Sequence, residues 1–134
     1  SFAQARGTLP FPVIGQLTQR YGGKTEGDVR SKGIVIKTRT DAQVVTPFDA
    51  VVAFSGPFRG YGQLLILEHS EGYHTLLAGM SHLDGAVGQT VLAGEPVGVM
   101  APEGVPSLYV EMRRGGQPIN PLPWLATQTN ENHG

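Results

Sequence analysis

The chain has 134 residues and no cysteine. That excludes a disulfide framework and any zinc site built on thiolates, and it leaves the redox compartment open. Net charge is nearly absent too, with ten Lys and Arg against eleven Asp and Glu, or −1 at neutral pH. No electrostatic basis exists for binding nucleic acid or an anionic membrane surface. No apolar run approaches the roughly 20 residues of a membrane-spanning helix. The sequence holds no heptad run, no long stretch of helical periodicity and no internal repeat, so neither a coiled coil nor a long amphipathic helix is expected. The opening SFAQARGTLP lacks the basic-then-apolar order of a secretory leader, so export would require a longer precursor.

What is present reads as one globular domain. Hydrophobic residues make up 40% and charged residues 16% of the chain, an ordinary balance. A domain of this length buries roughly two-thirds of the surface its unfolded chain exposes. Nineteen glycines and ten prolines are scattered as turn punctuation, which points to many short strands. SFAQARGTL reads as a polar linker or the approach to a strand, and PFPVIGQLTQRYGG alternates until Gly22-Gly23. KTEGDVRS is a polar loop and GIVIKT a strand. DAQVVTPFDAVVAFSG gives two strands joined around Pro47 and Asp49, followed by a loop, PFRGYG. QLLILEHSEGYHTLLAGM predicts a hairpin turning at Ser70-Glu71-Gly72. GAVGQTVLAGEPVGVM gives short strand pieces, and GGQPINPLPW is a proline-rich exit. The expected class is all-β, a sandwich or open barrel. The domain is expected over residues 1–126, with 127–134 as a polar, disordered tail.

Four histidines are available, at positions 69, 74, 82 and 133. His69 and His74 flank the hairpin turn and could approach each other. Zinc needs three or four ligands in fixed geometry with a supporting shell, so these read as ordinary surface histidines. Ser107 has no histidine placed by pattern to activate it as a nucleophile. The glycines of VGQTVLAGEPVG open no helix and precede no Lys-Ser/Thr, so they are turns and not a phosphate cradle.

PSLYVEMRR, from Pro106 to Arg114, carries the clearest signal. Leu108, Val110 and Met112 alternate with Ser107, Tyr109, Glu111 and Arg113. With a period of two, the first set is a core face and the second an open face. A row of hydroxyl, aromatic and cationic side chains on a strand otherwise buried suggests the lining of a groove.

SKGIVI, TPFDAVVAFSG, GYGQLLILEHSEGYHTLLAGMS, VGQTVLAGEPVG and SLYVEMRRGGQPINPLPWL occur in an order and spacing that resembles the LytM (lysostaphin-type) zinc endopeptidases, from about Leu9 to Leu125. The resemblance implies an antiparallel β-sandwich with short loops and little helix. Active members carry H-x-x-x-D, a single His after the hairpin, and H-x-H. Matched here, the metal-ligand positions are Ser31, Val35 and Tyr109, and the catalytic histidine positions are Gly79 and Ser107. His82 lies three residues beyond the matching position. Valine cannot coordinate zinc, and neutral hydroxyls are poor zinc ligands. Without metal, no activated water forms. No metal, no cofactor and no catalytic residue is therefore expected.

QRYGGKTEGDVRSKGIVI, GYGQLLILEH and PSLYVEMRRGGQPINPLPWL further resemble a degenerate subgroup, the EnvC-like murein hydrolase activators. That resemblance implies a non-catalytic activator of periplasmic N-acetylmuramoyl-L-alanine amidases in a Gram-negative bacterium, acting in septal peptidoglycan cleavage and cell separation. An amidase helix would lie in the vacated groove. Its implied contacts are Lys32, Val35, Tyr61, Leu64, Tyr109 and Arg113. Members of the subgroup carry a coiled coil ahead of this domain, which covers the groove until a membrane division complex releases it.

The residues themselves support most of these positions. Tyr109 and Arg113 share one strand face, and Tyr and Arg dominate interface energetics. Val35 offers apolar surface to a helix. Tyr61 sits in a glycine-flanked loop that would present rather than pack it. Leu64 lies in a run apolar on both faces and is equally readable as core. Lys32 is off the parity of Ser31 and Val35 and faces the groove only if the strand begins at Gly33. Tyr109 could instead cap the core with its hydroxyl in water, and Arg113 could pair with Glu111 or Glu68. Two other functions fit the same residues. One is a peptidoglycan-binding module using Tyr61 and Tyr109, and the other a residual zinc hydrolase using His69, His74 or His82.

Overall fold

Among the described residues, alternating residues between glycine turns fold into eleven strands. A computed structural model describes residues 1–127. Of the expected tail over 127–134, residues 128 onward, with His133, lie outside the described residues. The strands are β1 (Gly15–Gln19), β2 (Ile34–Thr38), β3 (Gln43–Val45), β4 (Ala50–Phe58), β5 (Gly62–Glu68) and β6 (Tyr73–Ala78). They continue as β7 (His82–Leu83), β8 (Thr90–Val91), β9 (Pro96–Val99), β10 (Ser107–Arg114) and β11 (Gln117–Ile119). Among the described residues the only helical pieces are three-residue 3-10 turns at Ala3–Ala5, Ser70–Gly72 and Leu122–Trp124.

The strands form two antiparallel sheets. The larger runs β1-β2-β10-β6-β5-β4-β8, with β11 also paired to β10. The smaller runs β3-β9-β7. β10 is central: its first half pairs with β2, its second half with β11, and β6 lies along its other side. One face of the larger sheet (Ile34, Ile36, Leu65, Leu67, Leu77, Leu108, Val110, Met112) joins Val44 and Val97 of the smaller sheet in the main core.

The β5–β6 hairpin turns as its sequence requires. Glu71 (φ 63°) and Gly72 (φ 78°) both take the left-handed conformation, which matches the twist of paired antiparallel strands. β4 runs through Pro57 to Phe58, so the expected loop PFRGYG is strand at its start and turns only after Phe58.

The first ten residues are not a linker. Phe2 is fully buried, its ring stacked on His69, Tyr73 and Trp124 at centroid distances of 4.6–5.2 Å and edge-on to Phe48. The backbone N–H groups of Gly7 and Leu9 both donate to the Trp124 carbonyl, and Ala126 N–H donates to Leu9. The two ends of the described chain are thereby held together. His69, expected at the surface, is buried in this stack and bonded on both ring nitrogens, to the Asp49 carbonyl and the Thr75 hydroxyl.

Candidate functional groove

The strand register sets the groove. On the face of the larger sheet turned away from the main core, Val35, Tyr109, Ala78, Leu64 and Gly56 lie in one row across β2, β10, β6, β5 and β4. The next row is Glu111, Leu76, Ile66 and Phe54. The third is Arg113, His74, Glu68 and Val51. Leu64, Leu76 and Ala78 form a second small core, covered by Phe54, Tyr61, Ile66 and Tyr109. Along its top runs a chain of rings, Phe54, Phe58, Tyr61 and Tyr109, with successive centroids 5.5, 6.0 and 6.1 Å apart. Apolar cover on an outer sheet face with an aromatic rim is typical of surfaces that bind a partner.

A cavity of about 430 Å³ opens on this face, lined by Val35, Gly60, Tyr61, Ala78, Gly79, Ser107 and Tyr109. Four of the five positions matched to the peptidase pattern (Val35, Gly79, Ser107, Tyr109) thus converge on one cavity. Ser31 is not among its lining residues. Its hydroxyl donates to the Gly33 carbonyl at 2.7 Å and accepts from the Gly33 N–H, closing the bend before β2.

The expected groove residues divide in three ways. Val35, Tyr61 and Tyr109 line the cavity. Leu64 sits beneath it, 1% exposed, as the floor of the small core, so its two readings meet: it is packed, and on the groove face. Tyr61 is half-buried between Phe58 and Tyr109, and so is packed as well as presented. Lys32 and Arg113 lie outside the cavity lining. β2 begins at Ile34 rather than Gly33, leaving Lys32 exposed in the preceding bend. Arg113 lies two rows along the open face from Tyr109.

Glu111 departs most from its expected place. The period of two puts it on the open face, yet its exposure is 0%. The Tyr109 hydroxyl donates to one of its carboxylate oxygens at 2.6 Å, and Arg113 Nε donates to the other. The Tyr109 hydroxyl is therefore not in water, and Arg113 belongs to a half-buried ion pair rather than an exposed one. Burial, then the bond to Glu111, pushes the Tyr109 phenol well above its ordinary range. Burial works against the Arg113 charge, but the bond to Glu111, the Glu111 charge and Tyr61 together outweigh it and the pKa is raised. Sequence reasoning also passed over Gly60, Ala78 and the half-exposed Phe58. The signal for Glu111 was present: Tyr, Glu and Arg at alternate positions put a donor, an acceptor and a cation in line on one strand face.

The chemistry of this donor set does not fit zinc. Val35 has no donor atom. Tyr109 holds its proton toward Glu111, and the phenolate a metal would need is disfavoured. Gly79 lacks a side chain, has φ +111°, and a Cβ there would lie 2.4 Å from the Ser107 carbonyl oxygen. Among the described residues no group of three or more His, Cys, Asp or Glu is placed to hold a metal ion.

Known proteins resemble this chain in sequence and in fold. The murein hydrolase activator EnvC of Escherichia coli (strain K12) is 38% identical over 123 residues, which is 90% of this chain and 29% of the relative. The murein hydrolase activator NlpD of the same strain is 31% identical over 124 residues, covering 88% of this chain and 31% of that one. The chain thus spans less than a third of the length of either. Among solved structures, Helicobacter pylori Csd3 superposes with a TM-score of 0.78 at 24% identity, over 89% of this chain and 35% of its own. That likeness shows the all-β fold expected from the sequence. Residues 29–121 match the description of Peptidase family M23, and this match, embracing both the cavity and all of β10, makes the chain a member of that family.

Proposed function

We propose that this domain is a non-catalytic activator of cell-wall N-acetylmuramoyl-L-alanine amidases, and that the groove over Val35, Tyr61, Leu64 and Tyr109 receives a helix of the amidase. The reading is carried by one observation: the cavity that the peptidase pattern converges on is lined by valine, glycine, serine and tyrosine, with an aromatic rim. Two relatives named murein hydrolase activators support it. The cavity is at the small end of ligand pockets, which run about 300–1,000 Å³, and suits one or two anchoring side chains. The rest of a helix would lie along the rows toward Lys32 and Arg113. A stable contact of this type buries roughly 1,200–2,000 Å² in all.

Activation requires that the domain bind the amidase better with its helix displaced than with it docked. The setting is the periplasm of a Gram-negative bacterium, during septal peptidoglycan cleavage and cell separation. An upstream coiled coil and a membrane division complex would govern access to the groove in the longer protein.

The test is dye release from labelled sacculi by the domain alone, by a periplasmic amidase of the same organism alone, and by the two together. Release only from the mixture is expected. Tyr109→Ala is expected to lower amidase affinity roughly 30-fold, the scale of a central aromatic anchor. Chelator-sensitive release by the domain alone would overturn the reading. The aromatic rim of Phe58, Tyr61 and Tyr109 favours one second reading, a peptidoglycan-binding module. Sedimentation of the domain with sacculi, without capture of amidase, would select it.

A further inference from the structure

Glu111 is a fully buried carboxylate on a surface otherwise built for contact. Burying a carboxylate is costly unless both oxygens are satisfied. Here both are, and each by a neighbour on the groove face: the Tyr109 hydroxyl on one oxygen, Arg113 Nε on the other. The three side chains alternate along β10, so the middle one can hold both outer ones at once. The rest of the packing restrains the same ring. A Cβ at Gly33 would come within 2.9 Å of Tyr109 Cζ and 2.3 Å of the Val110 carbonyl oxygen, so the tyrosine ring lies across a bare Cα. The Tyr61 ring flanks it on the groove side. The Glu111 contact uses Nε, and the Arg113 side chain, which also interacts with Tyr61, remains 32% exposed on the groove face.

We infer that Glu111 is a positioning residue of the groove: its buried carboxylate fixes the Tyr109 ring and the Arg113 guanidinium in the orientation in which they meet the partner. The inference rests on the groove being the partner site. Glu111 is not itself a contact residue, since it has no exposed surface. Its effect is preorganisation, sparing two rotamer-rich side chains an ordering cost at the moment of binding.

The test measures the affinity of the whole domain for a purified periplasmic amidase of the same organism, with Glu111→Gln, Arg113→Ala and the double variant. Glutamine keeps the shape and still accepts from Tyr109, but it presents the wrong group to Arg113. About a 10-fold loss is expected for Glu111→Gln, and the double variant should bind no more weakly than Arg113→Ala alone. A purely structural role would give losses that multiply and that follow the loss of thermal stability. In the free domain, the Arg113 Nε–H signal in nitrogen-15 NMR should exchange slowly and become fast in Glu111→Gln. If that variant fails to fold, Tyr109→Phe decides, since it keeps the ring that meets the partner and loses only the hydroxyl bonded to Glu111. A 10-fold loss supports the inference and unchanged affinity overturns it. Tight binding by the parent and by Glu111→Gln alike defeats this inference alone, whereas no binding by the parent defeats the activator reading itself.

Discussion

His69 shows how one side chain can set the response of the protein to acid. Its Nδ1–H donates to the Asp49 carbonyl at 2.8 Å, so Nε2 is the acceptor and takes the Thr75 hydroxyl at 2.8 Å. Both nitrogens are satisfied in the neutral ring. Burial disfavours the imidazolium, outweighing the help from Asp49, and the pKa is lowered. In the unfolded chain a histidine takes its proton near pH ~6.5. Below that pH the unfolded chain binds more protons than the folded one, so stability falls as pH falls. The contribution is fully present above the unfolded value and is lost as pH drops toward the folded one. Calorimetric melting temperatures should be flat above about pH 7 and decline from about pH 6.5 downward. His69→Gln should flatten that decline before carboxylates titrate. An unchanged slope in the variant would assign it to another group.

At the scale of the element, the N-terminal turn and β10 make opposite cases. The turn at Ala3–Ala5 has no regular length of its own, and it is held by Phe2 within the aromatic stack. Phe2→Ala should cost about 3–5 kcal/mol, as for other buried aromatics. Calorimetry should show a fall of roughly 10–15 °C in melting temperature for a domain of this size. A fall under about 3 °C would mean that the turn does not hold the two chain ends. Amidase activation, measured well below the melting point, should persist, because the stack lies off the groove face. None of this was legible in SFAQARGTL, where two large apolar residues, Phe2 and Leu9, are too sparse among small and polar ones to show a period. Its burial depends on Tyr73 and Trp124, more than 70 residues away. β10 was legible, because Leu108, Val110 and Met112 announce their face by period alone. The pairing of Glu111 with its neighbours was legible too, but its burial was not, because the period assigns a face and cannot say what else covers that face. The groove emerged from the resemblance for the same reason: Val35 and Tyr109 meet only through the sheet register, and Tyr61 joins them from the turn between β4 and β5.

For the whole molecule, the two faces of the larger sheet divide the work. One face packs against the smaller sheet and supplies the main core, and the other carries the small core, the aromatic rim and the clamp around Glu111. The main core includes none of the five positions matched to the peptidase pattern, so stability is expected to be independent of any metal there. A chelator in excess should leave the melting temperature within about 1 °C. A bound ion at 100 times its dissociation constant would contribute about 2.7 kcal/mol, and its removal would lower melting by several degrees. A drop of that size on chelation would reveal a metal site and sink the non-catalytic reading. Gly79 has a longer reach in time. Its φ of +111° and the Ser107 carbonyl oxygen 2.4 Å from any Cβ mean that a side chain there is strained and crowded unless the backbone shifts. The strands would have to part first, and until they did each intermediate would be less stable than the parent with nothing gained. Each such step would be selected against before it could help, so the backbone itself holds the groove in its present form.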